Sequence, residues 1–267
     1  MQRDRVARDR FIRDRFVRAG RRKVGIAAAV ACAMTIFIGT VWALGPLDFA
    51  PTTGYAWLPA VMVFALTLGL MMVFLPLHRG VDRFGAANGV TLARGVITAW
   101  LAGLIGTQFD VTTVGWWVTG AALLALSLDG IDGYLARTQK TASPFGARFD
   151  MEIDALFILL MSYLVFEAGR AGPWVLLIGL MRYGFVAAGW LWPSLRDELP
   201  PSFRRKLVCI IQGGALTLCF VPLLGDMAST ILAILALASL AWSFGIDILY
   251  LSRRRLATGS DHSGATS

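Results

Sequence analysis

Four aspartates carry the chemistry open to this sequence. Asp129 and Asp132 are three residues apart, and Asp150 and Asp154 are four apart. Each spacing puts its pair on one face of a helix. Gly133, Ala136 and Arg137 continue the first face, and Gly146 stands one turn ahead of Asp150 on the second. Two helical segments joined by a short loop would turn all four carboxylates inward. Converging carboxylates repel one another unless cations hold them together. The set therefore predicts divalent-metal catalysis on a phosphate.

Composition places these acids in a membrane. The chain has 267 residues, 57% of them hydrophobic, and a mean hydropathy of +0.65. That is too apolar for an ordinary soluble domain and suits a single bundle of transmembrane helices. Cys32, Cys209 and Cys219 sit in apolar runs without metal-ligand spacing, which argues against a disulfide framework or a zinc site. His78 and His262 are isolated and read as interfacial. The first apolar run is too long for a signal segment and is expected to be retained.

The elements that must position the acids follow in order. Residues 1–23 form a basic tail in which Arg-Asp-Arg recurs every five residues. That period makes no continuous apolar stripe, so the tail reads as an anchor to anionic lipid, with nucleic-acid binding set aside. Apolar runs of spanning character cover 24–44, 56–77, 89–108, 111–128, 151–167, 173–192, 207–224 and 228–251. The fold class is all-α, a polytopic transmembrane bundle. Residues 253–267, basic and then rich in Ser and Gly, are expected to be a disordered tail. The Lys/Arg bias among the loops puts both termini and the acidic stretch on the cytoplasmic side, leaving only Arg170 outside.

With the residues laid out, the chain resembles the CDP-alcohol phosphatidyltransferases. Asp129-x2-Asp132-Gly133-x2-Ala136-Arg137-x8-Gly146-x3-Asp150-x3-Asp154 matches that family's signature at all eight positions. Asn88-x2-Thr91-Leu92-x-Arg94 is similar to the entry of the first family helix. The resemblance covers about 88–251, so 80–252 is read as a six-helix core. Residues 24–79 are two additional transmembrane helices for which the resemblance supplies no role.

The resemblance implies transfer of a phosphatidyl group from CDP-diacylglycerol to an acceptor alcohol, with release of CMP. It implies two Mg2+ or Mn2+ ions held by Asp129, Asp132, Asp150 and Asp154, with Asp154 also the general base. Gly133 and Ala136 would let cytidine approach the helix, and Arg137 would meet a phosphate. Asn88, Thr91 and Arg94 would serve the nucleotide end with Asp129, and Gly146 the acceptor side. A bilayer location, a cytoplasmic-membrane site and a homodimer are implied as well.

The acceptor is not written in the motif. Arg148 and Arg182, with Arg204, Arg205 and Lys206, make a positive field that favours an anionic polyol phosphate such as glycerol 3-phosphate over inositol, serine or a lipid acceptor. Arg182 and Asp247, both inside expected spans, either pair with each other or serve a substrate. A prenyl-transferring enzyme would need a second acidic cluster, which the other spans lack. A cation-coupled transporter would place acids near mid-membrane and show an internal repeat. Here the acids gather at one edge and no repeat is evident.

Overall fold

The computed structural model describes residues 25–39, 57–77, 85–138, 143–191 and 202–263, without the side chains of Ala136, Arg137, Leu191 and 252–263. The basic tail, the expected loop at 45–54, His78, Arg79, Arg83, Lys140 and Arg196 lie outside the described residues.

Among the described residues, eight α-helices follow the eight expected spans in order. They are α1 (Gly25–Gly39), α2 (Leu58–Phe74), α3 (Ala86–Ala102), α4 (Val111–Thr138), α5 (Pro144–Glu167), α6 (Leu176–Leu191), α7 (Phe203–Leu218) and α8 (Asp226–Ser263). No strand occurs among the described residues. Four stretches, Leu58–Leu77, Val111–Leu135, Pro173–Trp190 and Asp226–Leu251, are long and apolar enough to cross a bilayer by themselves. The chain is a multi-pass membrane protein, in which a helix satisfies its own backbone where water is absent.

Helix ends depart from the hydropathy boundaries for local reasons. The third run was expected to reach 108 but α3 stops at Ala102. From Gly103 the backbone tightens into i to i−3 hydrogen bonds, Gly103 N–H to Trp100 O at 3.0 Å and Leu104 N–H to Leu101 O at 3.1 Å. Gly106 then takes a φ of 77°, which a side chain would resist. Asp110 starts α4: its carboxylate accepts from the Thr112 hydroxyl and from the Thr112 N–H at 2.9 Å. Those two bonds, the hydroxyl's first, hold the Asp110 carboxyl below its ordinary range. Ser143 and Pro144 start α5 seven residues ahead of the expected span, with Gly146 N–H donating to Ser143 Oγ at 3.1 Å. Arg170 N–H to Val165 O closes the other end of α5 around Gly169, at φ 68°. The backbone of α8 is helical to Ser263, and residues 264–267 of the tail expected from 253 lie outside the described residues. Arg253, Arg254, Arg255, Leu256 and Ala257 are good helix formers.

The chain forms two compact units. One comprises Met1–Thr107 and Leu124–Asp154, and the other Gln108–Leu123 and Ala155–Ser267. In the first, α2 and α3 run antiparallel with small residues at the contact: Ala60 lies beside Gly103 and Thr67 beside Gly95. Phe37 of α1 stacks on Phe64 of α2, with centroids 4.5 Å apart.

In the second unit, α7 and α8 are joined by polar bonds. Gln212 Nε2 donates to Ala236 O at 2.9 Å and Ser239 Oγ at 3.1 Å. Arg204 bonds Ser243 and meets Asp247 Oδ1 at 2.5 Å. Arg170, buried, donates to Leu224 O at 2.6 Å and Asp226 Oδ1 at 3.0 Å, while its own carbonyl accepts from Thr230 Oγ1. Arg170→Met is expected to cost roughly 1.5–3 kcal/mol, since it removes a charged donor from the partly buried carbonyl of Leu224. Asp226, 81% exposed, should matter much less. Thermal unfolding of the two variants in detergent checks the order, and equal midpoints would refute it.

Candidate active site

The site lies within the first unit, and three helices contribute to it. α3 supplies Asn88, Thr91 and Arg94 along one face, spaced by three residues. The C-terminal part of α4 supplies Asp129 and Asp132, and the first turns of α5 supply Asp150 and Asp154. All four carboxylates converge, as their spacing predicts.

They converge on a guanidinium. Arg94, 3% exposed, places Nη1 at 3.1 Å from Asp129 Oδ1, 3.2 Å from Asp132 Oδ2 and 2.6 Å from Asp150 Oδ1. Its Nη2 bonds Asp154 Oδ1. The resemblance had implied a nucleotide role for Arg94; its contacts here are with the acids. Arg94 Nε is buried without a hydrogen-bond partner among the described residues. Thr91 Oγ1 donates to Asp132 Oδ2 at 3.1 Å, orienting the most buried of the four acids.

Four carboxylates around one guanidinium leave a marked negative excess. Asp129, Asp132 and Asp150 each offer an oxygen within 4.8 Å of the others. An all-oxygen, anionic donor set of that size fits a hard divalent cation. Asp154 is not one of this trio and meets the other guanidinium nitrogen, Nη2.

The remaining predicted residues divide. Gly146 packs against α3: a Cβ there would stand 2.7 Å from Asn88 Oδ1. Its small size admits the Asn88 side chain. Gly133 is half-buried on α4, and Arg148 is exposed on α5. Ala136 and Arg137 continue the α4 helix, but their side chains lie outside the described residues. Arg182 lies half-buried on α6, in the second unit. Asp247 is engaged by Arg204 and, at 3.5 Å, by Arg205. Arg204 is therefore largely neutralised, which reduces the positive field that had favoured an anionic acceptor.

Two functional features escaped the sequence reading. Arg94 as the hub of the acids required knowing that α3 faces both α4 and α5. Ser143 as the cap that sets the start of α5, one turn before Gly146 and Ala147, was signalled by the Ser-Pro pair.

A family model described as CDP-alcohol phosphatidyltransferase matches residues 84–242. No curated protein and no solved structure matches the chain.

Proposed function

The chain belongs to the CDP-alcohol phosphatidyltransferase family, and from that premise we propose that it transfers a phosphatidyl group from CDP-diacylglycerol to an acceptor alcohol, releasing CMP. The observation that carries this reading is the convergence of Asp129, Asp132, Asp150 and Asp154 at one end of α4 and α5.

Asp129, Asp132 and Asp150 would hold divalent ions, Mg2+ or Mn2+, with Asp154 beside them. Bound there, two such ions would offset the charge of the pyrophosphate and stabilise the leaving CMP. Asp154 takes the proton from the acceptor hydroxyl as it attacks phosphorus. Thr91 keeps Asp132 oriented. Asn88, Gly133, Ala136 and Arg137 serve the nucleotide end. Gly146, Arg148 and Arg182 are assigned to the acceptor, with a polyol phosphate such as glycerol 3-phosphate preferred. The family core lies in the cytoplasmic membrane with the acids at the cytoplasmic boundary, where nucleotides and metal ions are available, and the protein works as a homodimer.

The test is CMP release from CDP-diacylglycerol by the purified chain with Mg2+ or Mn2+, across phosphorylated polyols, neutral alcohols and lipid acceptors. Acceptor-dependent release is expected, fastest with a phosphorylated polyol. Turnover with neutral alcohols alone would reject the acceptor assignment, and no release with any acceptor would reject the reaction.

A further inference from the structure

The α1–α2 pair lies ahead of the region that the family model matches, yet its packing is directed at the acidic site. Phe37 of α1 and Phe64 of α2 share one buried cluster with Leu92 and Val96 of α3 and Phe149 and Ile153 of α5. On α5 these apolar residues immediately precede Asp150 and Asp154, and on α3 they flank Arg94. The same turns thus present an apolar back to the added helices and a polar front to the site. Of the glycines of α3, Gly95, the residue after Arg94, has the least room against α2. A Cβ at Gly95 would overlap the methyl of Thr67. Thr67 is fully buried, and its hydroxyl donates to Val63 O at 2.9 Å, so that methyl has a fixed place.

We propose that α1 and α2 are a positioning element, and that the Thr67–Gly95 contact sets how closely α3 brings Arg94 to the four carboxylates. This rests on the reading of the acids as a metal and transfer site. The contact acts through Arg94, so Thr67 and Gly95 are positioning residues.

The consequence has a distinctive sign. Gly95→Ala forces α2 and α3 apart; because Arg94 Nη1 already meets Asp129, Asp132 and Asp150 at 3.1, 3.2 and 2.6 Å, any displacement of its turn takes the guanidinium off those contacts. A shift of about 1 Å in a positioning group lowers turnover by roughly 10²-fold. Withdrawing a positive charge from the carboxylates also strengthens their attraction for a cation. Slower turnover should therefore accompany tighter metal binding. A merely loosened protein would lose both.

The experiment uses the full chain in detergent and compares wild type, Gly95→Ala, Thr67→Ser and Gly95→Ala/Thr67→Ser. Free Mn2+ is measured by electron paramagnetic resonance, and CMP release from CDP-diacylglycerol is measured in parallel. Gly95→Ala is expected to bind Mn2+ at least about threefold tighter and to release CMP at least about tenfold more slowly. The double variant moves the methyl from α2 to α3 and should restore both values. Unchanged values in Gly95→Ala, weaker Mn2+ binding, or a change that Thr67→Ser does not reverse would each overturn the proposal, as would absence of Mn2+ binding in wild type. Thr67→Ala loosens the same contact without overlap and supplies the comparison if Gly95→Ala does not fold; Mn2+ binding and turnover both equal to wild type would overturn the proposal there. Should wild type bind Mn2+ but release no CMP, the assigned reaction falls, while the Mn2+ comparison still decides the positioning role.

Discussion

Asp154→Asn is expected to lower turnover by about 10²–10⁴-fold, the range for loss of a general acid or base, while leaving CDP-diacylglycerol binding within a few-fold of wild type. Asp129→Asn and Asp150→Asn should behave differently, weakening metal and nucleotide binding together. The geometry motivates the division. Asp129, Asp132 and Asp150 share Arg94 Nη1 and form the trio of mutually close oxygens. Asp154 meets Nη2 and stands outside that trio. Asparagine keeps the volume and one oxygen but loses the charge and the ability to accept a proton. Steady-state CMP release, equilibrium binding of Mn2+ and binding of CDP-diacylglycerol, measured on each variant, separate the roles. Equal and small effects at all three positions would remove the assignment.

Much of this site was legible because its parts are local. A helix repeats every 3.6 residues, so Asp129/Asp132 and Asp150/Asp154 had to form two inward faces once α4 and α5 were helical. The end of α5 was legible too, since Gly169 follows Glu167 closely. What hydropathy could not register was backbone geometry within an apolar run. Leu104 and Ile105 look like membrane residues, yet Gly103 and Gly106 have already turned the chain. Nor could it register pairing at long range. Arg94 and Asp154 are far apart in sequence, as are Arg204 and Asp247. Charge counted along the chain makes Arg204 part of a positive field; in the fold its charge is taken by Asp247 and Ser243. Residues 24–79 carried no motif, and the meaning of Thr67 and Gly95 appears only where two helices meet.

Arg94→Gln should alter the metal-free protein most. In the absence of metal, this guanidinium is the positive charge in contact with all four acids. Removing it leaves Asp132, whose side chain is 5% exposed, without a counter-ion among the described residues and sets four carboxylates against one another. Loss of one partner from a buried ion pair costs roughly 3–5 kcal/mol; the lower end applies here, because Asp129 and Asp150 remain about 35% open to solvent. The variant in EDTA should therefore unfold at a distinctly lower temperature than wild type. A divalent cation satisfies the same oxygens that Arg94 Nη1 contacts, so the two compete. Mn2+ should bind the variant more tightly and recover most of the lost stability, a larger thermal shift than wild type shows. Turnover should still fall, because metal alone cannot replace a side chain that also fixes Asp154. Thermal unfolding with and without Mn2+ decides the matter. If Arg94→Gln unfolds with wild type in EDTA and gains no more from Mn2+, the guanidinium does not hold the acids together.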